Sequence, residues 1–173
     1  MVLARTLQSA EPEEGCALLL GRRDGTELAL LESWPCLNRW QPPGERRRRF
    51  SLDPREQLQA QRWARARGLQ VLGAAHSHPG SAAEPSATDL ALCWGPTLML
   101  IRSGLEPGDG DPATATAREQ ATAAAAAAGL RAWWIPGEDG GAPRELPIAV
   151  AKPERPGAWA SRHAGAGPSD LGE

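Results

Sequence analysis

Hydrophobic positions along the chain come in short runs, separated by polar and Gly/Pro-rich breaks. That rhythm suits strands and brief helices. Residues 2–10 read as a short helix. Cys16-Ala-Leu-Leu-Leu-Gly21 is an apolar strand, closed by Arg22-Arg-Asp-Gly25, whose Asp-Gly pair signals a hairpin; residues 26–37 supply the partner strand. Residues 38–49 contain Pro42-Pro-Gly44 and predict a loop ending in a short strand near Phe50-Ser-Leu52. Asp53 as N-cap, with Pro54 at the first helical position, opens a helix through about Arg67, and Gly68 stops it. Leu69-Gln-Val-Leu-Gly-Ala-Ala75 predicts a buried strand, residues 86–94 a helix, and Thr97 to Ser103 another strand. Residues 131–135 and 144–150 form a final pair. This order predicts an α/β (α+β) domain over residues 1–150, a mixed sheet flanked by helices. Residues 106–129 end in an alanine run and stand as a low-complexity insertion. Residues 151–173, rich in Pro and Gly, read as a disordered tail in which Trp159 and His163 carry no role.

The 173 residues suffice for one core, and the formal net charge of −2 gives no electrostatic case for nucleic acid or an anionic membrane. Arginine abounds while Lys152 is the sole lysine, a compositional bias that lowers the value of arginine counts. Arg46-Arg-Arg-Arg49 therefore reads as a solvated loop, with a grip on an acidic partner as the alternative. No segment reaches the roughly 18 apolar residues of a membrane helix, and the N-terminus lacks a signal-peptide pattern. Cys16, Cys36 and Cys93 form no close pair, which suggests reduced thiols and a cytoplasmic protein. Cys93 reads as a buried helix cysteine rather than a ligand or nucleophile.

One segment carries candidate chemistry: His76-Ser-His-Pro79, then Gly80 to Pro85, then Ser86-Ala-Thr-Asp89. On a strand, His76 and His78 project from the same face. Pro79 turns the chain outward, and Asp89 falls in the first turn of the next helix, free to reach back over both imidazoles. Each piece has a plain structural reading. A lone strand histidine is usually a satisfied polar residue, and Ser86 with Asp89 resembles a capping box. Together, two histidines and a carboxylate form a common catalytic zinc set, three protein ligands with a fourth position left for water.

These residues resemble the JAMM/MPN+ metallopeptidases, whose signature is His-x-His-Pro, six residues, then Ser-x-x-Asp. The family's upstream glutamate, in a Glu-x-Cys-Gly-Leu-Leu-like strand entry, is matched by Glu14-Gly-Cys-Ala-Leu-Leu19, with Ala17 in place of the usual glycine. Phe50-Ser-Leu-Asp-Pro54 and Arg131-Ala-Trp-Trp134 also resemble small bacterial members. The strand usual ahead of the opening helix is absent or very short, as a start placed inside the true N-terminus would leave it. The resemblance implies that His76, His78 and Asp89 hold Zn²⁺, and that Glu14 is the general base and proton shuttle. It gives Ser86 a hydrogen bond to the water or the oxyanion. Glu13 is the local competitor for the base role; in extended chain only one of the two faces the site. The implied reaction is hydrolysis of a peptide or isopeptide bond at the C-terminal tail of a ubiquitin-like or sulfur-carrier protein. The alternatives are a non-catalytic MPN-type scaffold, from which an intact ligand set separates this chain, and a RadC-like protein associated with DNA repair. The latter usually carries an added DNA-binding segment. Oligomeric state is not legible.

Overall fold

The computed structural model describes residues 2–93, 95–105, 125–126, 128–137 and 141–149. Most of the alanine-rich insertion, Trp94, and the tail with Trp159 and His163 lie outside them. The described elements are α1 (Val2–Gln8), β1 (Cys16–Asp24), β2 (Glu27–Cys36), α2 (Pro54–Arg65), β3 (Gln70–His78), α3 (Ala87–Ala91), β4 (Thr97–Ser103), β5 (Leu130–Ile135) and β6 (Arg144–Leu146). The strands form one mixed sheet in the order β2-β1-β3-β4-β5-β6. Only β3 and β4 run parallel; the other neighbours are antiparallel.

Alternation along each strand gives the sheet two apolar faces. Ala17, Leu19, Ala75, Leu98, Leu100 and Ala132 pack with Leu3, Ala4 and Leu7 of α1 on one side. On the other, Leu18 and Leu20 meet Ala60 and Ala64 of α2, while Met99, Ile101 and Ile135 meet Ala83 of the loop before α3. Small alanines on α2 bring helix and sheet close. The helix starts as its sequence predicts, with Asp53 accepting the Arg55 N–H at 2.8 Å and Pro54 in the first turn.

Three expectations are corrected. No strand forms near Phe50–Leu52, because the side chain and backbone of the neighbouring loop take up the Ser51 backbone. Asn38 Oδ1 accepts its N–H at 3.3 Å, and its carbonyl accepts the Arg39 N–H at 2.8 Å. The last strand stops at Leu146 rather than residue 150, since Pro147 cannot donate to the ladder. The helix after Ser86 spans only five residues, Ala87–Ala91, which leaves the half-buried Cys93 beyond its end. The motif strand, conversely, runs past Ala75 to His78. Cys16 and Cys36, distant in sequence, face one another across β1 and β2, both as free thiols. Among the described residues no helix is long and apolar enough to cross a membrane.

Candidate metal centre

Because β1 runs antiparallel to β3, the start of β1 lies beside the end of β3. Cys16 pairs with His76, and on the parallel side His76 pairs with Ile101. Glu14 thus arrives beside a motif more than sixty residues downstream. His76 and His78 share the sheet face that carries α2 and α3, as their period-two spacing predicts. Ser77 points to the opposite face. Its hydroxyl accepts the Gly15 N–H at 2.8 Å and donates to the Leu7 carbonyl at 3.4 Å, and its own N–H donates to the Gly15 carbonyl at 3.0 Å. A Cβ at Gly15 would collide with the backbone of Leu7. One fully buried serine therefore docks both α1 and the residue after Glu14 onto the motif strand.

The two imidazoles turn their Nε2 atoms toward each other at 3.0 Å. Asp89 completes the group: Oδ1 lies 3.4 Å from His76 Nε2 and Oδ2 lies 3.4 Å from His78 Nε2. A tetrahedral ion with ligand bonds of about 2.0–2.1 Å would hold its ligands about 3.3 Å apart, so this spacing suits one shared cation. His78 Nδ1 lies 2.9 Å from the Ala82 carbonyl, placed to donate, which favours a free Nε2 lone pair for a metal. His76 Nδ1 has no partner among the described residues; the Phe50 ring, stacked at 4.5 Å, orients this imidazole instead. His76, His78 and Asp89 are all buried and form the one group of three or more metal-ligating side chains among the described residues.

Ser86 and Asp89 satisfy the plain structural reading, and the same contacts set the carboxylate beside both imidazoles. Asp89 N–H donates to Ser86 Oγ at 3.1 Å, and Ser86 N–H donates back to Asp89 Oδ2 at 2.7 Å, a complete capping box. The Ser86 hydroxyl also donates to Asp89 Oδ2 at 2.6 Å. The cap is what aims the carboxylate. Burial works to raise the Asp89 pKa, but hydrogen bonds to His76, His78 and Ser86 overcome it and hold the group below the usual carboxylate range. Burial lowers the His76 pKa against the pull of Asp89. At His78 burial acts the same way, yet the bonds to Asp89 and Ala82 win and the pKa rises.

Glu14 is buried at 3% exposure, and its Oε2 has no hydrogen-bond partner among the described residues. Desolvation pushes its pKa up to about 7; His78 opposes this and Asp89 adds to it. Glu13 turns outward, 3.9 Å from Arg46. The two side chains thus part company at a bend, since the Glu13 N–H closes a turn on the Ala10 carbonyl.

Further residues shape the site beyond those given a role from the sequence. Asn38 donates to the carbonyls of Glu14 at 3.1 Å, Arg46 at 3.4 Å and Arg49 at 2.8 Å, and its Oδ1 accepts the Trp40 and Ser51 N–H groups. It ties the arginine-bearing loop to the backbone of Glu14. Trp133 Nε1 donates to the Ala83 carbonyl at 2.9 Å, and Arg131 pairs with Glu84 at 2.9 Å, holding the loop between Pro79 and Ser86 against β5. Cys16 and Cys36 are poor nucleophiles: burial raises each thiol pKa to about 12, helped by Cys36 and Glu56 at Cys16 and by Glu56 at Cys36.

Comparison with known proteins adds lineage to geometry. None of the curated proteins matches the chain. A solution structure of a Desulfitobacterium hafniense protein is 31% identical, with 88% of each chain covered and a TM-score of 0.65. One from Salinibacter ruber is 30% identical, with 90% of each chain covered and a TM-score of 0.53. The family described as prokaryotic homologues of the JAB domain matches residues 2–136, a span that holds Glu14, both histidines, Ser86 and Asp89. The chain belongs to this family of prokaryotic JAB-domain proteins.

Proposed function

We propose that this protein is a zinc-dependent peptidase that hydrolyses a peptide or isopeptide bond at the C-terminal tail of a ubiquitin-like or sulfur-carrier protein. One observation carries the reading: two imidazole nitrogens and a carboxylate converge at single-ion spacing, beside a buried glutamate with a free oxygen. Bound by His76, His78 and Asp89, Zn²⁺ would polarise the scissile carbonyl and bring the pKa of water down to about 7.

The chain's own residues account for the rest. Glu14, with its pKa near 7, takes a proton from the attacking water and returns it to the departing amine. Ser86 keeps Asp89 aimed through three short contacts, and in this reading its hydroxyl hydrogen-bonds the water or the developing oxyanion. Phe50 covers one face of His76 and keeps bulk water from it. Full ligation is what sets a peptidase apart from scaffold members of such families.

The test is zinc stoichiometry together with cleavage of carrier proteins encoded beside this gene, read by intact mass. We expect about one zinc per chain, chelator-sensitive cleavage, and loss of turnover but not of zinc in Glu14→Gln. Absence of stoichiometric zinc, or full turnover by Glu14→Gln, would overturn the proposal. A stable complex with a larger assembly and no hydrolysis of any carrier would favour the scaffold reading.

A further inference from the structure

His76 and His78 are steadied by different devices. The Phe50 ring stacks on His76, whose Nδ1 has no partner among the described residues, whereas His78 Nδ1 meets the Ala82 carbonyl at 2.9 Å. The second imidazole therefore depends on the loop of residues 79–86, which joins the strand bearing both histidines to the helix bearing Asp89. The Ala82 carbonyl has a further donor in the Glu84 N–H, at 2.9 Å. Whatever sets residues 83 and 84 thus also sets the acceptor that His78 uses.

The residues from Ser81 to Glu84 each have an anchor. Ser103 Oγ donates to the Ser81 carbonyl at 2.9 Å, and His78 meets Ala82. Trp133 Nε1 donates to the Ala83 carbonyl at 2.9 Å, and Arg131 Nη1 donates to the Glu84 carboxylate at 2.9 Å. The Ala83 side chain is buried in a cluster with Met99, Ile101 and Ile135. Arg131 and Trp133 stand two apart on β5 and so share a face of the sheet. The guanidinium lies over the indole, 4.7 Å from the ring centre, and Glu145 of the edge strand β6 grips it through two bonds of 2.8 and 2.7 Å. Trp133 and Arg131 thus hold the two residues that follow Ala82.

We infer that Trp133, braced by Arg131, is a positioning residue for the metal: it fixes the Ala82 carbonyl and, through that carbonyl, the tautomer and orientation of His78. The inference rests on the metal-binding part of the reading above, and it assigns a share of the zinc affinity to the far edge of the sheet. A carbonyl that accepts the Nδ1 proton leaves the Nε2 lone pair for the cation. With the indole donor gone, the Ala83 peptide loses its hold on β5, and the Ala82 carbonyl can turn away. The His78 ring is then free to rotate or to carry its proton on Nε2, where it no longer ligates. Partners that orient a ligating histidine in this way typically govern affinity by about 10- to 100-fold.

The experiment measures the zinc affinity of the full chain by competition with a chromophoric chelator, in the parent, Trp133→Phe and Trp134→Phe. Trp133→Phe keeps an aromatic body and loses the donor. Trp134 is the next residue and faces the other side of the sheet, where Arg23 lies 5.1 Å from its ring centre. Trp134→Phe therefore loosens the same strand without touching the loop. We expect Trp133→Phe to weaken zinc binding by about tenfold or more, and Trp134→Phe to match the parent. In the metal-free chain, Trp133→Phe should also speed hydrogen exchange at the Glu84 amide, and Trp134→Phe should not. Should Trp133→Phe fail to fold, Arg131→Gln, which releases Glu84, carries the same comparison. Parent-like affinity in the loop variant overturns the assignment, and so does equal weakening in both tryptophan variants, which reports general loosening. A parent chain that binds no zinc overturns the metal reading beneath it.

Discussion

Ser77 sits between the two histidines and faces away from both, its hydroxyl accepting the Gly15 N–H at 2.8 Å on the far side of the sheet. The residue that joins the two candidate ligands is thus the clamp that seats the proposed general base. Ser77→Ala should cost about 1–3 kcal/mol, because it leaves the buried Gly15 donor unpaired. Zinc stoichiometry should hold while kcat falls more than KM rises, since Glu14 shifts and the ligands do not. Denaturant melts and steady-state kinetics on the zinc-loaded protein measure both; unchanged kcat would remove Ser77 from the site's support.

Glu14 burial has a pH signature in metal-free protein. Its folded pKa of about 7 exceeds the ordinary 4.5, so the folded state binds the proton more tightly than the unfolded chain. The stability from this group is fully present below about pH 4.5 and is lost as pH rises through about 7. Glu14→Gln mimics the protonated form. Chelator-treated Glu14→Gln should melt above the parent at pH 8 and level with it at pH 4. Parallel melting curves across that window would show that the carboxylate is solvated.

Metal binding should stabilise the folded chain, because His76, His78 and Asp89 come together only in the native state. Ligand at 100 times its Kd adds about 2.7 kcal/mol, enough to raise the Tm by several degrees. Asp89→Ala should abolish the zinc-induced rise and also lower the metal-free Tm, since the half of the capping box that accepts the Ser86 N–H is lost. Differential scanning calorimetry with and without zinc separates the two effects. Asp89→Ser, which can partly restore a cap but is a poor ligand, should recover the second and not the first.

Asn38→Leu should loosen the loop of residues 38–51, whose backbone that side chain ties together. We expect a loss of about 1–3 kcal/mol and weakened protection from hydrogen exchange at Trp40 and Ser51, with zinc affinity unchanged. Asn38→Asp keeps the Oδ1 acceptor and loses the donors to Glu14, Arg46 and Arg49, so it should retain protection at Trp40 while disturbing catalysis.

The sequence made the candidate ligand group readable because each part of it is local. Two histidines at strand spacing and a serine-to-aspartate cap lie within fourteen residues, and their geometry follows from period and capping rules. The hairpin at Asp24–Gly25 and the start of α2 were equally local. Ser77 and Asn38 were not. Their roles depend on partners brought near by the β1–β3 pairing and by a loop without repeating structure, and no periodicity reports such contacts. The expected strand near Phe50 failed for the same reason, because a distant asparagine took up the backbone groups that a ladder needs. The facing of Cys16 and Cys36 likewise appears only once β1 and β2 are in register.

That register governs more than packing. Both irregularities along β1 lie at Leu19–Gly21, toward the hairpin tip, while Cys16 to Leu19 pairs with β3 without a break. A length change near the tip can be absorbed at those kinks. The same change between Gly15 and Leu19 would invert which side chains look inward and carry the acid away from its ligands. Drift in this lineage should therefore be tolerant at one end of a single strand and unforgiving at the other.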